Sequence, residues 1–169
     1  DAPVLDLNGP AAGTGFAASY TEAAPAVAIV DPAVLTVIDV DSANLASATV
    51  AISNLQDGPA EILAANTAGT AISASYVTGT LSLTGTDTVA NYQTVLRSVT
   101  YNNTSEAPNA TARVINVVAT DSFAQTASGT STLSVTAIND APVITSNGGG
   151  ATASISVAEN VAAVTTVTS

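Results

Sequence analysis

Short runs in which Val, Ile, Leu or Ala alternates with Ser, Thr or Asn fill most of the chain, and Gly, Pro, Asn and Asp punctuate them. A period of two puts successive side chains on opposite faces of a half-buried strand. The pattern predicts strands at 16–20, 26–30, 33–40, 46–53, 60–63, 72–77 and 80–83, and two long ones at 111–119 and 129–138. One segment breaks the period. Val89, Tyr92, Val95 and Leu96 share a face at helical spacing and Asp87 can cap the first turn, so 88–98 reads as a short helix. Its apolar face would cover one end or one face of the strands, and a strand at 99–102 follows. Residues 2–13 are rich in Pro and Gly and read as an irregular entry. Many short strands with frequent turn signals predict an all-β sandwich.

A second pattern has a much longer period. Asp1-Ala2-Pro3-Val4 recurs as Asp140-Ala141-Pro142-Val143, and at the same offset Asn8-Gly9 falls on Asn147-Gly148. After a two-residue gap, Ser19-Tyr20-Thr21-Glu22-Ala23 falls on Ser156-Val157-Ala158-Glu159-Asn160. Such self-similarity marks a tandem array. The expected organisation is a complete repeat over 1–140, then a linker and the first strands of the next over 141–169. A piece as short as the latter buries too little to order itself. It is expected to be held by its own domain or by strand addition to another copy.

Composition narrows the function. Thirteen acids face two arginines, Arg97 and Arg113, with no Lys or His, for a net charge of −11. That surface repels nucleic acid and anionic membrane and attracts cations. The apolar content is mostly Ala and Val, so the core is expected to be thin. No apolar run approaches the ~20 residues of a membrane span. Without Cys, His or Lys, neither disulfides nor the usual nucleophile–base pairs can form, and a Lys–Asn crosslink is excluded. A carboxylate-based glycosidase or a lectin would want an aromatic-lined cleft, and the chain has two Phe and no Trp. Tyr20, Tyr76, Tyr92 and Tyr101 read as core or rim residues. Asn102, Asn103 and Asn109 begin glycosylation sequons.

The acids are scattered, yet many stand near predicted strand ends. Asp39 and Asp41 close one strand and Asp121 another. Glu22 lies in a break, Glu106 precedes a long strand, and Asn139-Asp140 leaves the last. In an antiparallel sandwich the strand ends gather at two poles. Asp1, Asp39, Asp41 and Asp121 are expected at an entry pole, and Glu22, Glu106, Asn139 and Asp140 at an exit pole. Taken singly, each is a solvated turn residue. Taken as a set with almost no Lys or Arg nearby, they repel one another unless a cation intervenes. Oxygen-only ligands on loops suit Ca²⁺ better than Mg²⁺, and zinc is disfavoured.

At these residues the chain resembles the cadherin repeat, and more closely the longer cadherin-like repeats of large bacterial surface adhesins. Val157-Ala158-Glu159-Asn160 resembles the family's first-strand Glu-Asn motif, and Glu22 holds that place in the first copy. Ile38-Asp39-Val40-Asp41 resembles Asp-x-Asp, Ser105-Glu106 stands at Asp-x-Glu, and Val118-Ala119-Thr120-Asp121 resembles Ala-x-Asp. Thr136 to Pro142 resembles the Asp-x-Asn-Asp-x-x-Pro linker, one residue shorter before Pro. Leu81–Tyr101 resembles repeats of the proteoglycan type. The resemblance implies a cadherin/immunoglobulin-like Greek-key β-sandwich with calcium between successive domains. It implies a stiffened, extracellular, cell-surface spacer whose partners are neighbouring repeats. Ala137 replaces the linker's first Asp, and Thr104 or Ser105 an acid before Glu106, which implies fewer inter-repeat ions, or none. The alternative expectation is a homopolymeric filament or sheath in which residues 143–169 dock on the next copy.

Overall fold

The computed structural model describes residues 1–141. The chain divides into two compact units, Asp1–Ile138 and Asn139–Ser169. The expected opening strands of a second copy, with the Glu159-Asn160 motif, lie outside the described residues. In chain order the elements of the first unit are β1 (Val4–Asp6), β2 (Phe16–Thr21), β3 (Val27–Ala28), β4 (Thr36–Ile38) and β5 (Asn44–Ile52). Then come β6 (Glu61–Ala64), β7 (Ser73–Val77), β8 (Thr80–Thr88), α1 (Val89–Arg97), β9 (Thr100–Asn103), β10 (Arg113–Asp121) and β11 (Thr126–Thr136).

The strands form an all-β, sandwich-like fold. The large sheet runs β2-β11-β10-β5-β8-β7, and two small ones run β1-β4 and β3-β9-β6. All pairings are antiparallel except β11 with β2. Alternation decides which face is buried. Leu45, Ala48, Val50 and Ile52 on β5 point inward, as do Ile115, Val117 and Ala119 on β10 and Leu133 and Val135 on β11. They join Leu5, Leu7, Val37, Leu63, Tyr101 and the α1 residues Tyr92, Val95 and Leu96 in one core cluster. Tyr20 of the large sheet meets Tyr101 of a small one edge-on, centroids 5.4 Å apart, and donates from its hydroxyl to the Asn103 carbonyl at 2.7 Å.

Several expectations about elements change. Val4–Asp6 is a strand, although the Pro/Gly-rich surroundings suggested none. The strand expected at 33–40 shrinks to Thr36–Ile38, because Asp31 Oδ1 accepts from the Ala33 and Val34 amides and winds 31–34 into a turn. The helix is capped by Thr88, whose hydroxyl accepts from the Asn91 amide. Asp87 instead accepts from the Ala71 and Thr88 amides and the Asn91 side chain, which hold its carboxyl below the usual range. β8 runs on to Thr88 because an irregularity at Gly85 absorbs a register shift against β5. A Cβ on Gly85 (φ +119°) would meet the Ala71 carbonyl oxygen at 2.4 Å. Tyr92 donates to the Gly85 carbonyl at 2.7 Å, which ties α1 to that bulge.

Topology fixes the two poles. β11 runs from Thr126, opposite Thr120, to Thr136, opposite Thr21. At roughly 3.3 Å per residue its ends lie about 33 Å apart.

Candidate metal centres at the two ends of the sandwich

At the first pole, β10 ends on Asp121 and the chain turns back through 122–125. Asp121 is 1% exposed. Its Oδ1 accepts from the Phe123 and Gln125 amides, both at 2.8 Å, and Ala124 takes a left-handed conformation, φ 63°, to close the loop. Asp121 Oδ2 is buried with no donor. The loop after β4 is built the same way. Asp39 Oδ1 accepts from the Asp41 and Ser42 amides at 3.2 and 3.0 Å, and its Oδ2 is likewise buried and unpartnered. The two loops meet on the Asn44 carbonyl, which accepts from Ser42 Oγ at 2.6 Å and Ser122 Oγ at 3.2 Å.

Asp1 also lies at this pole, with its backbone nitrogen against Asp41 Oδ2. Among the described residues, however, no three of Asp1, Asp39, Asp41 and Asp121 bring carboxylate oxygens within 4.8 Å of one another.

At the opposite pole, Glu22 leaves β2 and its amide donates to the Thr136 carbonyl. The residue is 5% exposed. Its Oε2 accepts from the Ile138 amide at 2.6 Å, while Oε1 is buried without a partner. Ala23, at φ 58°, turns the chain immediately afterwards. Glu106, exposed on the loop before β10, brings a carboxylate oxygen within 4.8 Å of one on Glu22. Asn139 and Asp140 are exposed and open the second unit.

No side-chain cation is free to serve either pole. Arg97 donates Nε and Nη2 to the Leu35 carbonyl at 3.0 and 2.7 Å. Arg113, wholly buried, is the centre of a network that the sequence reading did not single out. Its Nε pairs with Glu61 Oε1, and its Nη2 with Asp57 Oδ2 at 2.6 Å. Its Nη1 donates to the Asn109 carbonyl at 2.9 Å. Tyr101 donates to Glu61 Oε1, and the Gln56 and Asp57 amides to Oε2. Burial is the largest influence on Glu61 and opposes its ionisation. The bonds from Arg113, the two amides and Tyr101 outweigh it and hold the carboxyl below its ordinary range.

A sequence signal for this network exists. Arg113 has the same parity as Ile115, Val117 and Ala119, so strand phase alone points it inward. The network also pins the loop that carries Glu106. Asp57 accepts from the Asn109 amide, and Asn103 Oδ1 from the Ser105 amide. Asn103, 3% exposed, is thereby spent inside the fold, whereas Asn109 is exposed. No helix among the described residues is long and apolar enough to cross a membrane. Compared with protein-family models, curated proteins and solved structures, the chain has no significant match.

Proposed function

We propose that this chain is an extracellular structural module of a tandem array, with calcium binding at the ends of the sandwich and stiffening the joints. One observation carries the reading. At each pole a buried carboxylate spends one oxygen on loop amides and leaves the other without a donor: Asp121 at one end, Glu22 at the other. An unsatisfied buried acceptor costs on the order of 1–3 kcal/mol, more when charged. Both arginines are committed elsewhere, so a bound cation is the remedy the chemistry offers. The donors are all oxygens on turns, which suits the flexible, high-coordination shell of Ca²⁺; the chain has no His or Cys for zinc.

At the second pole Glu22 and Glu106 form the core of the proposed site. An ion held there ties the loop after β2 to the loop before β10. At the first pole Asp39 and Asp121, each with one buried oxygen left free, are the candidate ligands, with Asp41 and Asp1 beside them, although no three of these acids converge. For a secreted or cell-surface module of this kind, calcium affinities of ~10⁻⁴–10⁻³ M are expected.

Calorimetric titration with Ca²⁺, with Mg²⁺ as control, tests the reading. Saturable binding near ~0.1–1 mM is expected. Glu22→Gln with Glu106→Gln should remove one class of site, and Asp39→Ala with Asp41→Ala the other. Absence of Ca²⁺ binding by the unaltered chain would rule the reading out.

A further inference from the structure

We infer that the outer edge of β7 is a surface on which a second copy of this chain pairs, strand to strand, across a two-fold axis. β7 is the last strand of the large sheet, and among the described residues no strand covers its far side. An edge strand turns every other N–H and C=O away from its sheet, and natural edges are usually guarded by Lys, Pro, inward charge or a bulge. Ser73–Val77 carries none of these, and its register with β8 is unbroken.

Electrostatics leaves this edge open to a second copy. Copies bearing −11 each repel over most of their surface. From Ile62 to Thr86 the chain has no Asp, Glu, Lys or Arg. The flanking acids are occupied: Glu61 is buried against Arg113, and Asp87 is turned onto the Ala71 and Thr88 amides. Like-charged copies can therefore approach along this edge without charge meeting charge.

The sequence of the strand is also self-complementary. Antiparallel pairing about Ser75 sets Ser75 opposite its own copy, small Ala74 beside bulky Tyr76, and Ser73 beside Val77. Val77, 70% exposed, gains cover in that register. Tyr76 is already held inward, since its hydroxyl donates to the Glu61 carbonyl and accepts from the Gly79 amide. Such a contact is isologous and closes as a dimer. It joins two sheets into one and does not depend on the calcium reading.

Sedimentation equilibrium of the full chain, in EDTA and again in Ca²⁺, tests this. A monomer–dimer equilibrium with a Kd below ~1 mM is expected in both. Ser75→Asp places like charges opposite one another and should abolish the dimer, as should Ser75→Lys. An equal mixture of the two variants should dimerise again. A wild-type chain that stays monomeric, open-ended oligomers, Ser75→Asp dimers as strong as wild type, or failure of the mixture to associate would each overturn the inference.

Discussion

Glu22 Oε2 accepts a 2.6 Å hydrogen bond from the backbone amide of Ile138, so the acid that closes β2 grips the chain where it leaves the last strand. The grip is incomplete. The other oxygen of the same carboxylate is buried without a donor, and Glu106 stands within 4.8 Å. Removing the charge should therefore act in opposite directions with and without calcium. In EDTA, Glu22→Gln keeps an acceptor for Ile138 and relieves repulsion, so stability should hold or rise by a few tenths of a kcal/mol. In Ca²⁺ the variant should lose the calcium-dependent gain attributable to this pole. Thermal melts of both proteins in both buffers check the crossover.

Arg113 is the interior charge on which the Glu106 loop rests. Arg113→Met leaves Glu61 and Asp57 without their cation, and breaking such a pair costs about 3–5 kcal/mol. The melting temperature should fall by more than ~10 °C. Acid should act on the same network. The Glu61 carboxyl is held below its ordinary 4.5. Its contribution to stability is thus complete above about pH 4.5 and is lost as pH falls through the lower folded value. Urea titrations from neutral pH to about pH 3 should show the midpoint dropping in that window, and Glu61→Gln should flatten the drop.

Alkali should produce a second loss. Burial, with the nearby charge of Asp87, pushes the Tyr92 hydroxyl up to about 12. Burial, then the hydrogen bond and charge of Glu61, pushes Tyr101 up as well. Acids whose folded pKa is raised contribute stability below their ordinary value, here 10.0, and lose it as pH rises through the folded one. Tyrosinate absorbance and circular dichroism should therefore change together above about pH 10. The Tyr92→Phe variant assigns the share of that residue.

The hydrophobic alternation made β5, β10 and β11 plain in the sequence, because each buries a full inward row on one face. β1 was hidden: three residues among Pro3, Asn8, Gly9 and Pro10 give no period to read, and its pairing with Thr36–Ile38 is a tertiary event. The helix was legible from Tyr92, Val95 and Leu96. Its cap was not, since neighbouring Asp87 and Thr88 both satisfy the rule, and the Ala71 amide claims the aspartate. The order and direction of antiparallel strands assign acids to an end of the sandwich, which is why Glu22 and Glu106 could be grouped. They do not report side-chain direction. That direction keeps Asp39, Asp41 and Asp121 from forming a three-acid cluster and shows which oxygen each has already committed.

Small residues test how closely the layers approach. A Cβ on Gly129 would lie 2.8 Å from Leu7 Cγ, and Leu7 is fully buried. Gly129→Ala should destabilise by about 1–3 kcal/mol through overpacking. Ala124 sits at φ 63° beside Asp121, a conformation that costs a non-glycine residue roughly 1–2 kcal/mol. Ala124→Gly should be neutral or stabilising. Chemical denaturation of the two variants gives both signs in one experiment.

The melting temperature of the unaltered chain in about 10 mM Ca²⁺ against EDTA tests the central claim most directly. At roughly 10 to 100 times the expected Kd, each site contributes about 1.4–2.7 kcal/mol. For a domain of this size that means a rise well above ~4 °C, absent with Mg²⁺ and much reduced in Asp39→Ala with Asp41→Ala. Identical melts in Ca²⁺ and EDTA would contradict the account.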